Sequence, residues 1–260
     1  MADGGGHAHS FKRDRTTMAH RPKAEDTRRN DAMKCILFGG SGEVGGAVAR
    51  ELIRSDVCSH LTMLGRRAVT SMQNEAKVEQ IVVDTSAPDF EEAVKRIALG
   101  HDVAISCTGI GSGTTFMSEE QMMEIEVRML GKYARGCKAA GIEIFELLTA
   151  VGVKESHADS WNKFFRVIGK KYKTVRDVGF EKLAVFKPGM IVGNAHTPRW
   201  LSFLTGIIPD SLGWGNIRQD EVARAFVAHL EKKVAMQNQP VMSYENKEMK
   251  ILLLDQRMSG

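Results

Sequence analysis

The fold of this chain is decided by residues 34–53, which read KCILFGGSGEVGGAVARELI. The apolar run Cys35–Phe38 predicts a short buried strand. Glycines dominate the next seven residues and predict a tight turn, because glycine adopts backbone angles that other residues avoid. Val44, Val48 and Leu52 then recur at helical spacing. A strand, a glycine turn and a helix in this order predict the first βα unit of a parallel sheet.

The same alternation continues along the chain. The later predicted strands are residues 61–64, 80–83, 103–107, 142–149 and 183–186, and the later predicted helices are residues 90–99, 118–140, 161–177 and 221–231. Ser118 and Gln121 have the spacing of a capping box at the start of the longest helix, and Gly141 is expected to end it. Strands that alternate with helices of ten or more residues predict an α/β fold with a parallel sheet.

Residues 1–32 are predicted to form a flexible arm, and residues 33–260 a single folded domain. The arm is rich in Gly, His, Arg and Asp and has too few apolar residues to offset the entropy of ordering itself. Its histidines are more simply explained as part of a solvated linker than as metal ligands: His7, His9 and His20.

The composition excludes several classes of protein. Apolar residues make up 43% and charged residues 26% of the chain, which is typical of an ordinary globular protein. No apolar run approaches the roughly 20 residues of a membrane-spanning helix. The net charge of +4 comes without a dense basic stripe, which argues against nucleic acid as a partner.

The cysteines and the N-terminus indicate the compartment. The four cysteines are widely spaced, which suits a reducing compartment and argues against a disulfide framework or a structural zinc site. The N-terminus has no apolar signal region, and its acidic residues interrupt the positive face that a mitochondrial presequence needs. A cytoplasmic location is therefore expected, with a mitochondrial one as the alternative.

The glycine turn is the strongest functional signal. Its spacing, G-x-x-G-x-x-G, lies between a strand and a helix, where backbone N–H groups and the helix dipole can hold a pyrophosphate. The residues predicted to contact the nucleotide here are Gly39, Gly40, Ser41, Gly42, Glu43, Val44 and Gly45. The alternative is a structural βα turn without a ligand.

The second strand bears on the kind of nucleotide. NAD-binding folds place a carboxylate about twenty residues beyond the glycine loop, to bind the ribose hydroxyls. Here the equivalent stretch contains Arg66 and Arg67, whose guanidinium groups suit the 2′-phosphate of NADP. The alternative is a solvated pair of arginines, so the sequence favours NADP(H) without excluding NAD(H).

Two further segments are expected at the same edge of the sheet. Asp84 follows the third strand and either meets the adenine amino group or forms a turn. The strand-end residues Cys107, Thr108 and Gly109 are expected to pass near the cofactor's ribose, and residues 109–113 to form a loop beside it. A buried strand-end thiol such as that of Cys107 is expected to be unreactive.

Together these segments resemble the atypical short-chain dehydrogenase/reductases, and above all the HIV-Tat-interacting group of NADPH-binding oxidoreductase-like proteins. The matching stretches are residues 39–45, 61–67, 101–103, 145–150, 185–189 and 245–247. The resemblance implies a Rossmann core, that is a doubly wound parallel sheet, with NADP(H) as its ligand and Pro188 among the cofactor-binding residues. It also implies a small C-terminal lobe for a substrate or partner, from about residue 190 to residue 260.

The chain departs from the family's catalytic pattern. Such enzymes use a Ser after the fifth strand and a Tyr-x-x-x-Lys on the next helix, where the Tyr transfers a proton and the Lys lowers its pKa. After strand five this chain has Thr149, which could still bind a substrate carbonyl. Counting back from the 185–189 match puts Phe164 and Ile168 at the Tyr and Lys positions.

The alternative proton donors are Thr149, a water molecule and Tyr172, and Tyr172 is on the same predicted helix as Phe164. It lies eight residues beyond Phe164, about 12 Å along a helix, which is outside hydrogen-bond reach of the usual position. A slip of the alignment within the preceding loop, residues 152–159, would remove this objection.

Two hypotheses follow for the function. In the first, the protein binds NADP(H), lacks the usual acid and is regulatory or weakly active. In the second, it is an active NADPH-dependent carbonyl reductase with a non-standard donor. The apolar segment 200–214 either packs in the C-terminal lobe, caps a substrate pocket, or docks a protein partner or a membrane surface.

Overall fold

The computed structural model describes residues 32–109, 117–192, 215–232 and 239–259, with side chains as far as Leu254. Nearly all of the predicted arm lies outside the described residues. So do the loop that follows Gly109 and the apolar segment 200–214.

Most of the described strands form one parallel sheet, as predicted. The strands are β1 (Met33–Phe38), β2 (Cys58–Gly65), β3 (Val78–Val82), β4 (Val103–Ser106), β5 (Ile144–Leu148), β6 (Lys182–Phe186), β7 (Met190–Val192), β8 (Asn216–Arg218) and β9 (Val241–Tyr244). Seven of them lie in the order β3-β2-β1-β4-β5-β6-β9, and β7 pairs with β8 in a separate small sheet. The strand order reverses next to β1, so the sheet is doubly wound. The carboxyl ends of β1 and β4 flank the crevice in which such folds bind ligands.

Helices cover both faces of the sheet. They are α1 (Glu43–Arg54), α2 (Phe90–Ala98), α3 (Glu119–Met123), α4 (Leu130–Ala139), α5 (Lys163–Asp177), α6 (Gln219–Glu231) and α7 (Asn246–Ser259). One apolar cluster joins α1 and α6 to side chains such as Leu37 of β1. A second cluster, on the opposite face, joins α2, α4 and α5 to Ile36 of the same strand. Alternate residues of β1 therefore enter different cores, as the two-residue period of a strand requires.

The helix predicted for residues 118–140 is confirmed at both ends, but its middle is not a regular α-helix. The Gln121 N–H donates to Ser118 Oγ (3.2 Å) and the Ser118 N–H donates to Gln121 Oε1 (2.9 Å), which is the predicted capping box. Between α3 and α4, however, Glu124–Met129 is π-helical. The spacing of apolar residues in the sequence does not predict a π-helical segment, because that segment depends on what packs against the helix.

One ionisable pair lies entirely inside the core between the sheet and α6. His229 Nδ1 is 2.6 Å from Glu146 Oε1, and the two side chains are 1% and 0% exposed. Burial raises the pKa of Glu146 above its usual value. The edge of the His229 ring faces Phe186, and Tyr244 packs beside it. Burial therefore disfavours the charged form of the Glu146 carboxyl group.

Candidate functional site

The glycine loop between β1 and α1 can be formed by glycine alone at two of its positions. Gly39 has a φ of +92°, and a Cβ on it would lie 2.8 Å from both Cys107 C and Thr108 N. A Cβ on Gly45 would lie 2.8 Å from Gly39 C and closer still to Gly39 O. The loop is thus folded against the end of β4 and against itself. A side chain at either position would fill the cradle that a pyrophosphate needs.

The N-terminus of α1 faces this cradle. Gly42 is the N-cap and makes no side-chain capping bond, and its N–H donates to Gly39 O (3.1 Å). Because Gly42 has no side chain, no carboxylate or hydroxyl of this residue covers the positive end of the helix dipole. Gln219 Nε2, at the start of α6, donates to Glu43 O (2.5 Å) and ties the two helices together at this edge.

The two predicted arginines lie beside the loop. Phe38 of β1 is level with Leu64 of β2, so Arg66 and Arg67 follow the strand end next to the glycines. Both side chains are exposed. Asp84, by contrast, accepts hydrogen bonds from the Ser86 N–H (2.9 Å) and hydroxyl (2.5 Å), which hold its pKa below the usual value. These contacts are those of a turn-forming aspartate.

The end of β4 forms the other wall of the crevice. The Cys107 N–H donates to Phe38 O (2.9 Å). Burial raises the pKa of the Cys107 thiol, so it stays protonated, in line with the expectation of an unreactive thiol. Thr108 is buried, its Oγ1 is 2.9 Å from Ser106 Oγ, and Gly109 follows at the surface.

A charged pair that the sequence reasoning missed lies at the same strand end. Lys171 Nζ donates to Thr108 O (2.7 Å) and to Glu126 Oε2 (2.8 Å), and both side chains are 3% exposed. Lys171 belongs to α5, three residues after Ile168 and four before Val175, on the buried stripe of that helix. A lysine in an apolar stripe was the available signal, because lysines are almost never fully buried unless paired.

Of the two candidate catalytic residues, Thr149 follows β5 and Tyr172 lies on α5. The Thr149 N–H donates to Phe186 O (2.8 Å), while Thr149 Oγ1 is buried and has no hydrogen-bond partner among the described residues. Tyr172 is partly buried, and burial raises its pKa. Lys187 Nζ lies 5.1 Å from the centre of the Tyr172 ring, and burial lowers the pKa of this lysine. The neighbouring Pro188 is buried.

Phe164 and Ile168, which counting back from residues 185–189 predicts at the family's Tyr and Lys positions, are part of the packing of α5. Phe164 packs against a small apolar cluster that contains Met122, Val127 and Val167. Ile168 is 5% exposed. Neither side chain carries a proton that could be transferred.

Two other features are absent from the part of the chain that the structure describes. Across residues 32–109, 117–192, 215–232 and 239–259, no helix is long and apolar enough to cross a membrane. Over the same part of the chain, no three His, Cys, Asp or Glu side chains are grouped so that they could hold a metal ion.

Comparison with known proteins identifies the family. A family model described as NAD(P)H-binding matches residues 39–184. Protein HTATIP2 of Rattus norvegicus is 29% identical over 191 residues, which cover 69% of this chain and 73% of that protein. Protein FMP52, mitochondrial, of Coccidioides immitis is 22% identical over 186 residues, covering 68% and 74% of the two chains.

A solved structure has the same fold. The oxidoreductase ylbE from Lactococcus lactis superimposes with a TM-score of 0.62 at 15% identity, over 85% of this chain and 97% of that one. The resemblance to the HIV-Tat-interacting group and the Rossmann fold inferred from the sequence are both confirmed. The matched segment runs from the glycine loop into β6 and contains both walls of the crevice. The chain therefore belongs to the NAD(P)H-binding family.

Proposed function

We propose that this protein binds NADP(H) and that it is a regulatory or weakly active member of its family. The observation that carries the proposal is the packing of Phe164 and Ile168 on α5, where the family has its acid and lysine. Losing a general acid typically lowers the rate by about 10²- to 10⁴-fold. The glycine cradle does not depend on that acid, so binding is expected to survive.

The preference for NADP(H) over NAD(H) rests on Arg66 and Arg67. A 2′-phosphate would be held by their guanidinium groups through short, charge-assisted hydrogen bonds. The end of β2 offers no carboxylate for the ribose diol of NAD. When bound, the nicotinamide ring would supply or accept a hydride. The residues of this chain bind and orient the dinucleotide.

Thermal unfolding with added cofactor tests the preference. NADPH is expected to raise the melting temperature more than NADH does, because only NADPH carries the extra phosphate. Arg66→Ala is expected to weaken NADPH binding by about ten- to a hundredfold and to leave NADH binding unchanged. Arg96→Ala, which removes an exposed arginine from α2, is the matched control. Equal stabilisation by NADH and NADPH would contradict the preference.

Turnover tests the regulatory part of the proposal. The protein is mixed with NADPH and a panel of reactive carbonyl compounds, and the loss of NADPH absorbance is followed. Stabilisation by NADPH without turnover is the expected result. Turnover at the rate of ordinary enzymes, about 1 to 10³ per second, would contradict it.

The second candidate function is an NADPH-dependent carbonyl reductase with a non-standard donor. It is favoured by Thr149, whose hydroxyl is buried without a partner among the described residues and is therefore available to a substrate carbonyl. Tyr172, next to the Lys187 ammonium, is the proton donor in this case. Turnover that Tyr172→Phe abolishes, while NADPH binding persists, would establish the reductase over the regulator.

Two further parts of the proposal concern the surroundings of the protein. The apolar segment 200–214 is the proposed docking site for a protein partner, tested by comparing partner capture by the full chain before and after Trp200→Ala. The proposed compartment is the cytoplasm. Because the fungal relative is named mitochondrial, fractionation against mitochondrial markers is the direct test.

A further inference from the structure

Lys187 is a buried cation without an ionic partner among the described residues. It is 8% exposed and follows β6 at the carboxyl edge of the sheet. Its Nζ makes no hydrogen bond or ion pair with a described residue, and lies 5.1 Å from the centre of the Tyr172 ring. Lysines are almost never fully buried unless they are paired. The position therefore calls for an anion.

The charges around Lys187 do not neutralise it. Burial lowers the pKa of this lysine most strongly, Glu245 acts in the opposite direction from beyond ion-pair distance, and Lys154 lowers the pKa further. An anion bound to Nζ would favour the charged form and offset the cost of burial. Nζ is not completely buried, so a ligand can approach it.

Thr149 lies directly beside Lys187. The Thr149 N–H donates to Phe186 O (2.8 Å). The Val151 N–H donates to Pro188 O (2.9 Å), so the parallel pairing of β5 with β6 continues past the strand ends. Thr149 is thereby level with Lys187, and paired strands lie about 4.8 Å apart. The two side chains are therefore neighbours across the strands.

Both side chains face α5. Leu147 and Val185, two residues earlier in their strands, belong to the apolar cluster that packs against this helix. Because side chains alternate along a strand, Thr149 and Lys187 point the same way, in agreement with the contact between Lys187 and Tyr172. Thr149 Oγ1 is buried and has no hydrogen-bond partner among the described residues. An ammonium group and a hydroxyl group, both without such a partner, thus lie side by side.

This pair of groups fits a carboxylate next to a carbonyl. A lysine ammonium is a compact point charge with three N–H donors and suits a carboxylate. A threonine hydroxyl donates one hydrogen bond and suits a neutral carbonyl oxygen. A 2-oxo acid carries the two groups on adjacent carbon atoms, which matches side chains that are direct neighbours. We propose that Lys187 and Thr149 together bind a small 2-oxo carboxylate, with its carboxylate on Lys187 and its keto oxygen on Thr149.

This inference rests on the proposed function, because the ligand is expected to bind beside the cofactor, and the experiment separates the two. Thermal unfolding of the wild-type protein with and without NADP⁺ tests the cofactor alone. Dissociation constants of pyruvate and methyl pyruvate are then measured by isothermal titration calorimetry in the presence of NADP⁺, which has no hydride to donate. The two probes share the keto group and differ in the charge of the carboxylate.

The variants separate the two contacts. Lys187→Met removes the charge and keeps an unbranched side chain, and Lys187→Arg keeps the charge. Thr149→Val removes the hydroxyl and nearly keeps the shape. Lys154→Met is the matched control, because Lys154 is exposed and also acts on Lys187 through its charge. Thermal unfolding without ligand checks that each variant is folded.

The wild-type protein is expected to bind pyruvate about tenfold or more tighter than methyl pyruvate, because only pyruvate pairs with the ammonium. Lys187→Met is expected to lose about ten- to a hundredfold in affinity for pyruvate and to bind the ester as before. Lys187→Arg is expected to keep most of the pyruvate affinity. Thr149→Val is expected to weaken both probes alike, and Lys154→Met to weaken neither.

Equal binding of pyruvate and its ester by the wild-type protein would overturn the inference, whether or not the variants fold. An unchanged ratio of the two affinities in folded Lys187→Met would do so too. An equal loss of pyruvate binding in Lys154→Met would overturn it by showing a general attraction to positive charge. If NADP⁺ stabilises the protein and pyruvate does not bind, the inference fails and the proposed function stands. If NADP⁺ does not stabilise the protein, the proposed function fails and the inference with it.

Discussion

The neighbouring glycines Gly45 and Gly46 give opposite predictions on substitution by alanine. A Cβ on Gly45 would lie 2.8 Å from Gly39 C and 3.1 Å from Gly40 Cα, so the backbone of the loop must shift. A Cβ on Gly46 would meet nothing closer than Gly40 O at 3.4 Å, an ordinary contact. Both residues are in the first two turns of α1 and share its helical conformation.

The magnitudes follow from overpacking and helix propensity. Overpacking a tight site costs about 1–3 kcal/mol, and replacing glycine by alanine inside a helix stabilises by roughly 0.5–1 kcal/mol. For a domain of this size each kcal/mol moves the melting temperature by about 2–4 °C. Gly45→Ala is therefore expected to lower the melting temperature by several degrees, and Gly46→Ala to raise it by about 1–4 °C.

Thermal unfolding with and without NADPH is the assay for both variants. Gly45→Ala is also expected to lose stabilisation by NADPH, because the displaced loop is the proposed pyrophosphate site. Gly46→Ala is expected to keep it. A shift of the same sign in the two variants, or an undisturbed Gly45→Ala, would refute the close approach of α1 to the loop.

Three further predictions concern the core, a helix end and the missing acid. The raised pKa of Glu146 means that the folded state keeps a proton where the unfolded chain has lost it, so the free energy of unfolding should fall as pH rises above the usual glutamate value. Glu146→Gln, which still accepts a hydrogen bond from His229, should flatten that slope in urea titrations; equal slopes would contradict the prediction. Ser118→Ala should destabilise the protein by about 0.5–2 kcal/mol in the same assay, because the N-cap bond is lost, and no change would mean that the cap contributes nothing. Phe164→Tyr combined with Ile168→Lys should raise NADPH-dependent carbonyl reduction by about 10²-fold or more if α5 has lost only its acid and lysine, whereas unchanged turnover in a folded variant would place the defect elsewhere.

Local patterns in the sequence predicted the features that depend on neighbouring residues. The strand, glycine turn and helix at residues 34–53 were confirmed, as was the capping box of Ser118. The alternation of strands and helices predicted the parallel sheet. These features depend on backbone angles and apolar spacing within about twenty residues. The role of Arg66 stays a prediction, because the strand register establishes only its position beside the glycine loop.

The strands after residue 189 were not predicted individually. β7 and β8 have three residues each, which is too short to carry a period-two pattern. β9 adds to the edge of the main sheet by pairing with β6, more than fifty residues earlier in the chain. Long-range pairing of this kind leaves little trace in local composition.

The sequence by itself determined that this chain folds as a doubly wound α/β protein with a glycine loop suited to a dinucleotide. Only the tertiary structure decided where its buried charges meet. Lys171 lies 45 residues from Glu126 and 63 from Thr108, and His229 lies 83 from Glu146. No pattern within a helix or strand records such a contact, because a charge can be buried only where packing brings its partner to it.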